Sequence, residues 1–130
     1  MATNCGIAVK TDKGYETIYV HNDGYPEHML KTLVENHNSE ESAKKIVSLG
    51  DASCIYQKID PTGGSGHSFN NPEDGVCIFY HRDRGEPWKD TQPITYRYKR
   101  ELIANFGYLY IFEEGKWTGY EEGYLIRETF

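Results

Sequence analysis

Near residue 21 the spacing of apolar residues changes from two to three or four, and that switch narrows the choice of folds. Residues 5 to 10 (CGIAVK) place Ile7 and Val9 on one face. After TDKG, the run YETIYVH puts Tyr15, Thr17 and Tyr19 on one side and Ile18 and Val20 on the other, so an opening β-hairpin is predicted. The turn residues Asn22, Asp23 and Gly24 follow, with Pro26 suited to a first helical turn. Met29, Leu30, Leu33, Val34 and His37 then recur at helical spacing. A second helix is expected at once, capped by Asn38 with Glu41 as capping-box partner, burying Ala43, Ile46 and Val47 and stopping at Gly50.

The remainder returns mostly to strands. Residues 61 to 75, PTGGSGHSFNNPEDG, read as a long loop, and loops of that length without structure of their own tend to be functional or mobile. VCIFYHR is a central strand candidate. TYRYKRELIANFG begins extended and ends as a short helix carrying Leu102, Ile103 and Phe106, stopped by Gly107. YLYIFEEGKWTGY is a hairpin turning at EEGK, and YLIRETF is a last strand. The expected fold is one α+β domain over residues 1–130. Its mostly antiparallel sheet carries two consecutive short helices after the N-terminal hairpin, plus a third short helix.

A chain of 130 residues can bury a core without disulfide or metal support. Its formal charge of −6 argues against binding nucleic acid through a broad basic face, and against adsorption to anionic membranes. It leaves room for local basic patches and for mimicry of nucleic acid by an acidic face. Eleven tyrosines supply either a tyrosine-rich core or a recognition surface. Cys5, Cys54 and Cys77 form no CxxC pair, as expected for reduced thiols in a cytosolic protein. MATNCGIAVK lacks the basic and apolar regions of a signal peptide, and no apolar run approaches a membrane span, so a soluble intracellular protein is expected.

Chemistry-bearing motifs are few. None of His21, His28, His37, His67 and His81 sits at a zinc-site spacing, and no metal or other cofactor is expected. GGSGHS lacks the final glycine of a nucleophile elbow and the lysine of a P-loop; it is a plain connector or a loop that wraps a ligand with its N–H groups. RDRGE is more specific. If the preceding strand continues, Arg82 and Arg84 share one side with Asp83 opposite, and Gly85 then turns the chain before Pro87. Two parallel guanidinium groups form a fork for phosphate or carboxylate, oriented by Asp83 and Glu86; the alternative is an exposed ion-pair network of little energetic worth.

IYVHNDGYPEHMLKTLVENH resembles the IYCHWDGYPE…L…HY segment of a family of small proteins found in phages and prophages. SLGDAS at 48 to 53 resembles its LGDIS, YHRDRGE at 80 to 86 resembles its AYxRDRGE motif, and HSFNNPEDGV fits between them. The match covers most of residues 4 to 118. Asn22 departs from it, standing where Trp is common, and PTGGSG looks inserted. The resemblance implies an accessory viral protein of the host bacterial cytoplasm, with His21, Asp23, Gly24 and Tyr25, then Arg82, Asp83, Arg84, Gly85 and Glu86 as carried-over motif residues. It supplies a setting and no mechanism.

Three activities are compatible with these residues. The first is a non-catalytic counter-defence protein that sequesters a host immune signalling nucleotide or blocks a host defence protein. There Tyr25, Tyr80 or Trp88 would stack while Arg82 and Arg84 grip phosphate, with His21, Asp23, Asp83 and Glu86 around them. The second is a phosphodiesterase or nuclease with His21 or His81 as general base. The third is an acidic decoy of a CRISPR effector or restriction enzyme, using Glu40, Glu41, Glu113, Glu114, Glu121 and Glu122. A homodimer or higher oligomer, with a ligand site at its interface, fits the tyrosine surplus.

Overall fold

A computed structural model describes residues 2–64 and 66–127. The hairpin forms as the alternation requires: β1 (Cys5–Thr11) pairs antiparallel with β2 (Gly14–Val20), Ile7 opposite Ile18. α1 (Met29–Asn36) and α2 (Glu40–Ser48) follow and lay Met29, Leu33, Ile46 and Val47 against Ile7, Val9, Ile18 and Val20. The cap of α2 is Ser39, not Asn38: its side chain accepts the Ser42 N–H at 3.1 Å. Shifting the cap by one residue takes Glu41 out of the capping-box position. Leu49 closes the helix, and Gly50 beyond it adopts a positive φ, as expected.

The sheet is mixed and mostly antiparallel. β3 (Ala52–Cys54) adds parallel to the end of β2, and β4 (Ile78–Phe79) adds antiparallel to β3. On the other side β6 (Tyr108–Glu113) runs parallel to β1, followed by β7 (Lys116–Glu121) and the two-residue β8 (Tyr124–Leu125). The order is β4-β3-β2-β1-β6-β7-β8, with β5 (Ile94–Tyr96) paired to the first half of β2. The hairpin turn at EEGK is present, with Glu114 and Gly115 both left-handed. Of the expected last strand only Tyr124–Leu125 is paired, and its residues 128–130 lie outside the described residues.

One sheet face packs on α1 and α2. The other is covered over β1 and β6 by α5 (Lys99–Asn105), whose Leu102 and Ile103 meet Ala8, Leu109 and Ile111. VCIFYHR departs from expectation. Only Ile78–Phe79 is strand, it lies at the sheet edge, and the chain then coils into α3 (Tyr80–Arg84). The cause is Asp83, whose carboxylate accepts the Phe79 N–H at 2.8 Å and ties the turn to its own start. Gly85, left-handed at φ 79°, ends it. A further short helix, α4 (Trp88–Thr91), leads into β5. Among the described residues no helix is long and apolar enough to cross a membrane.

Candidate functional site

The three motif segments meet at the free ends of β2, β3 and β4. Val20, Ala52 and Phe79 are lateral neighbours in the sheet and all point into the core. The alternation therefore turns Tyr19, His21, Ser53 and Tyr80 to the opposite face, beyond the part that α5 covers. Asn22 donates to the Ser53 hydroxyl at 3.1 Å, and the Ser53 side chain lies beside the Tyr80 phenol. The backbone doubles the link: Asn22 N–H donates to Ser53 O at 2.9 Å and Tyr80 N–H to Asp51 O at 3.1 Å. Asp51 also accepts the Tyr19 N–H at 2.9 Å through its carboxylate. Burial pushes the Asp51 carboxyl up, only partly offset by that N–H, and burial likewise raises the Tyr80 phenol.

The HNDGY turn is shaped by close packing. Gly24 donates to Thr3 O and its carbonyl accepts the buried Tyr110 hydroxyl at 2.7 Å. A Cβ on Gly24 would come within 2.7 Å of the Asn4 carbonyl carbon, so no larger residue fits. Asp23 enters the turn with a left-handed φ of 57°. The Asp23 charge reaches Tyr56, whose phenol is pushed up to about 12, chiefly by burial and then by its hydrogen bond with Cys54. The Tyr19 hydroxyl and His21 Nδ1 are hydrogen-bonded at 2.8 Å, and exposed Tyr25 lies beside His28.

In α3 the two arginines separate. At about 100° per residue, side chains two apart on a helix point to nearly opposite sides, so the side-by-side fork expected of an extended strand does not form. Arg82 turns inward: it donates to both Asp83 carboxylate oxygens, to Ile59 O at 2.8 Å and to Cys77 O at 2.9 Å. Arg84 turns outward, half exposed at 51%, its guanidinium 4.6 Å from the Phe69 ring centre and 3.7 Å from Glu86. Phe69 in turn meets the Tyr80 ring at 6.1 Å. His81 donates from Nδ1 to Glu86 O and meets Trp88 edge-on, so this pair forms a separate cluster backing Gly50.

Phe69 reaches this surface because the glycine-rich loop is fastened beneath it. The His67 side chain is 1% exposed and accepts the Glu73 N–H on Nδ1 at 2.9 Å, so the ring proton sits on Nε2, 3.4 Å from Asp83 Oδ2. Phe69 N–H donates to Asp83 O at 2.8 Å. The loop is thus docked on α3 rather than a plain connector. Its role, and those of Tyr19, Ser53 and Phe69, were not read from the sequence; the available signal was their membership of the LGDAS and HSFNNPEDG segments. Among the described residues no three His, Cys, Asp or Glu side chains gather to hold a metal ion. No family model, curated protein or solved structure matches this chain.

Proposed function

We propose that this chain is a viral, non-catalytic counter-defence protein that binds and blocks a host defence protein through the Tyr80–Arg84 surface. The observation that carries the reading is the meeting of Asn22, Ser53 and Tyr80, held by the Asn22–Ser53 bonds and by Tyr80 N–H to Asp51 O, which gathers three separate sequence motifs beside an outward arginine. Tyrosine and arginine on an open surface are the usual anchors of protein interfaces. Capture of a nucleotide by stacking is supported less well. Phe69 and Tyr80 stand 6.1 Å apart at 33°, whereas a sandwiched base needs parallel rings about 7 Å apart, two contact distances. The acidic-decoy reading loses support from the scatter of its carboxylates. Glu40 pairs with Lys44 and Glu113 with Lys99, and the Glu113–Glu114 and Glu121–Glu122 turns lie at opposite ends of β7.

Native mass spectrometry of the tagged protein recovered from infected bacteria tests this. A stoichiometric complex with one host protein, lost in a Tyr80→Ala, Arg84→Glu double variant that keeps its fold, is expected. Release of a nucleotide-sized mass on denaturation would replace blocking with sequestration, and an unliganded chain would remove both.

A further inference from the structure

A second surface, at the β5–α5 corner, is chemically unlike the rest of the chain. Arg97 and Arg100 place their guanidinium carbons 5.5 Å and 4.7 Å from the centre of one ring, that of Tyr98. The two carboxylates nearest in sequence or contact are already engaged: Glu101 accepts the Tyr98 N–H at 3.1 Å, and Glu113 takes Lys99 and the Tyr15 hydroxyl. Among the described residues neither arginine has a carboxylate within ion-pair distance. Arg82, by contrast, has two carboxylates and two carbonyls. A guanidinium stacked on an aromatic ring is held in orientation while its in-plane N–H groups stay free for an anion.

The strand leading into this corner is paired on one edge alone among the described residues: β5 pairs with β2, its other edge is open, and Ile94 is 60% exposed on it. Tyr98 itself is 45% exposed. Natural sheets usually blunt such an edge with charge, and here the charges without an ion-pair partner are the two arginines, Glu101 being turned onto the Tyr98 N–H.

We propose that the edge of β5, with Arg97, Tyr98 and Arg100, docks an extended acidic peptide segment of a partner protein. The segment would lie along β5, set an apolar side chain against Ile94 and give carboxylates to the two arginines, the mode by which peptides extend an open sheet edge. A carboxylate peptide fits better than a nucleic acid. The chain carries a net charge of −6, and two arginines release too few counterions to hold a polyphosphate against that repulsion. This surface lies at the Tyr15 end of β2 and the Tyr80 site at the Val20 end, five residue steps or about 17 Å along the strand. It can therefore fail or succeed independently of the function proposed above.

The test uses three fluorescein-labelled probes at 50 mM salt: an eight-residue peptide alternating Glu and Val, its Gln and Val counterpart, and an oligothymidine of equal length. The Glu peptide is expected to bind saturably and the Gln peptide not. Arg97→Gln with Arg100→Gln should weaken it about tenfold or more, and 300 mM salt should do the same. Tyr98→Ala, with both arginines kept, should also weaken it, because the stacking that orients them is gone. Circular dichroism checks the fold of each variant. Equal binding by the double variant, or no saturable binding of the Glu peptide, overturns the proposal. Tighter arginine-dependent binding of the oligothymidine overturns it in favour of a nucleic-acid surface.

Discussion

The α1–α2 corner and the loop of residues 61–75 each bury one histidine, and the two are fastened differently. At the corner, His37 donates from Nε2 to Tyr56 O at 2.7 Å and accepts the Ser42 hydroxyl on Nδ1 at 2.8 Å. Trp117 donates to its carbonyl at 2.9 Å, so ring and backbone are both held between helices and sheet. In the loop, His67 Nδ1 is satisfied by Glu73 N–H, but Nε2 stops 3.4 Å short of Asp83 with no hydrogen bond among the described residues. A fully bonded imidazole joins elements that stay together. A half-bonded one on a glycine-rich segment holds Phe69 beside Arg84 with less energy to spare.

The largest effect should come from the acceptor on the loop side. Asp83, its side chain 4% exposed, accepts the Phe79 N–H and two Arg82 hydrogen bonds, so Asp83→Ala frees the Phe79 N–H and leaves a largely buried guanidinium with Asp60 at 3.6 Å as its one carboxylate among the described residues. It should cost about 3 kcal/mol in denaturant unfolding. His37→Ala should follow at about 2 kcal/mol, from two lost hydrogen bonds and a void at the corner. Burial holds the folded His37 imidazole below its ordinary pKa near 6.5. The unfolded chain then binds the proton more readily. The His37 contribution is complete above that value and is lost as pH falls toward the folded one, a slope that His37→Ala should remove from an acid titration of stability.

His67→Ala should cost less, about 1 kcal/mol, and locally. Amide exchange at Phe69, whose N–H is bonded to Asp83 O, should speed up while the helix corner stays protected. A global loss as large as that for His37→Ala would erase the distinction between the two regions. Smallest of all, Arg84→Ala should change stability by no more than about 0.5 kcal/mol, since the side chain is half exposed and stacked only on Phe69. It should nevertheless abolish partner binding.

What the sequence revealed follows local spacing. The hairpin, the two helices and the β6–β7 turn are written in periods of two and of three to four, and each forms where expected. α3 was hidden because Cys77, Ile78 and Phe79 are apolar and buried in either conformation. What ends the strand is a carboxylate four residues on, capturing one N–H. The inward and outward roles of Arg82 and Arg84 follow from that coil and could not be read before it was known. Nothing in PTGGSGHSFNN distinguishes a buried histidine from an exposed one, because a loop has no period. The meeting of Asn22, Ser53 and Tyr80 depends on β3 pairing parallel to β2, a long-range choice that no local pattern sets.

Hydrogen–deuterium exchange of the free protein against its purified complex tests the location of the binding surface most directly. The account predicts new protection at residues 19–23, 51–54, 67–71 and 80–86, with α1, α2 and α5 unchanged. Protection confined to the helices or to the C-terminal hairpin, with those four segments exchanging as in the free chain, would contradict it.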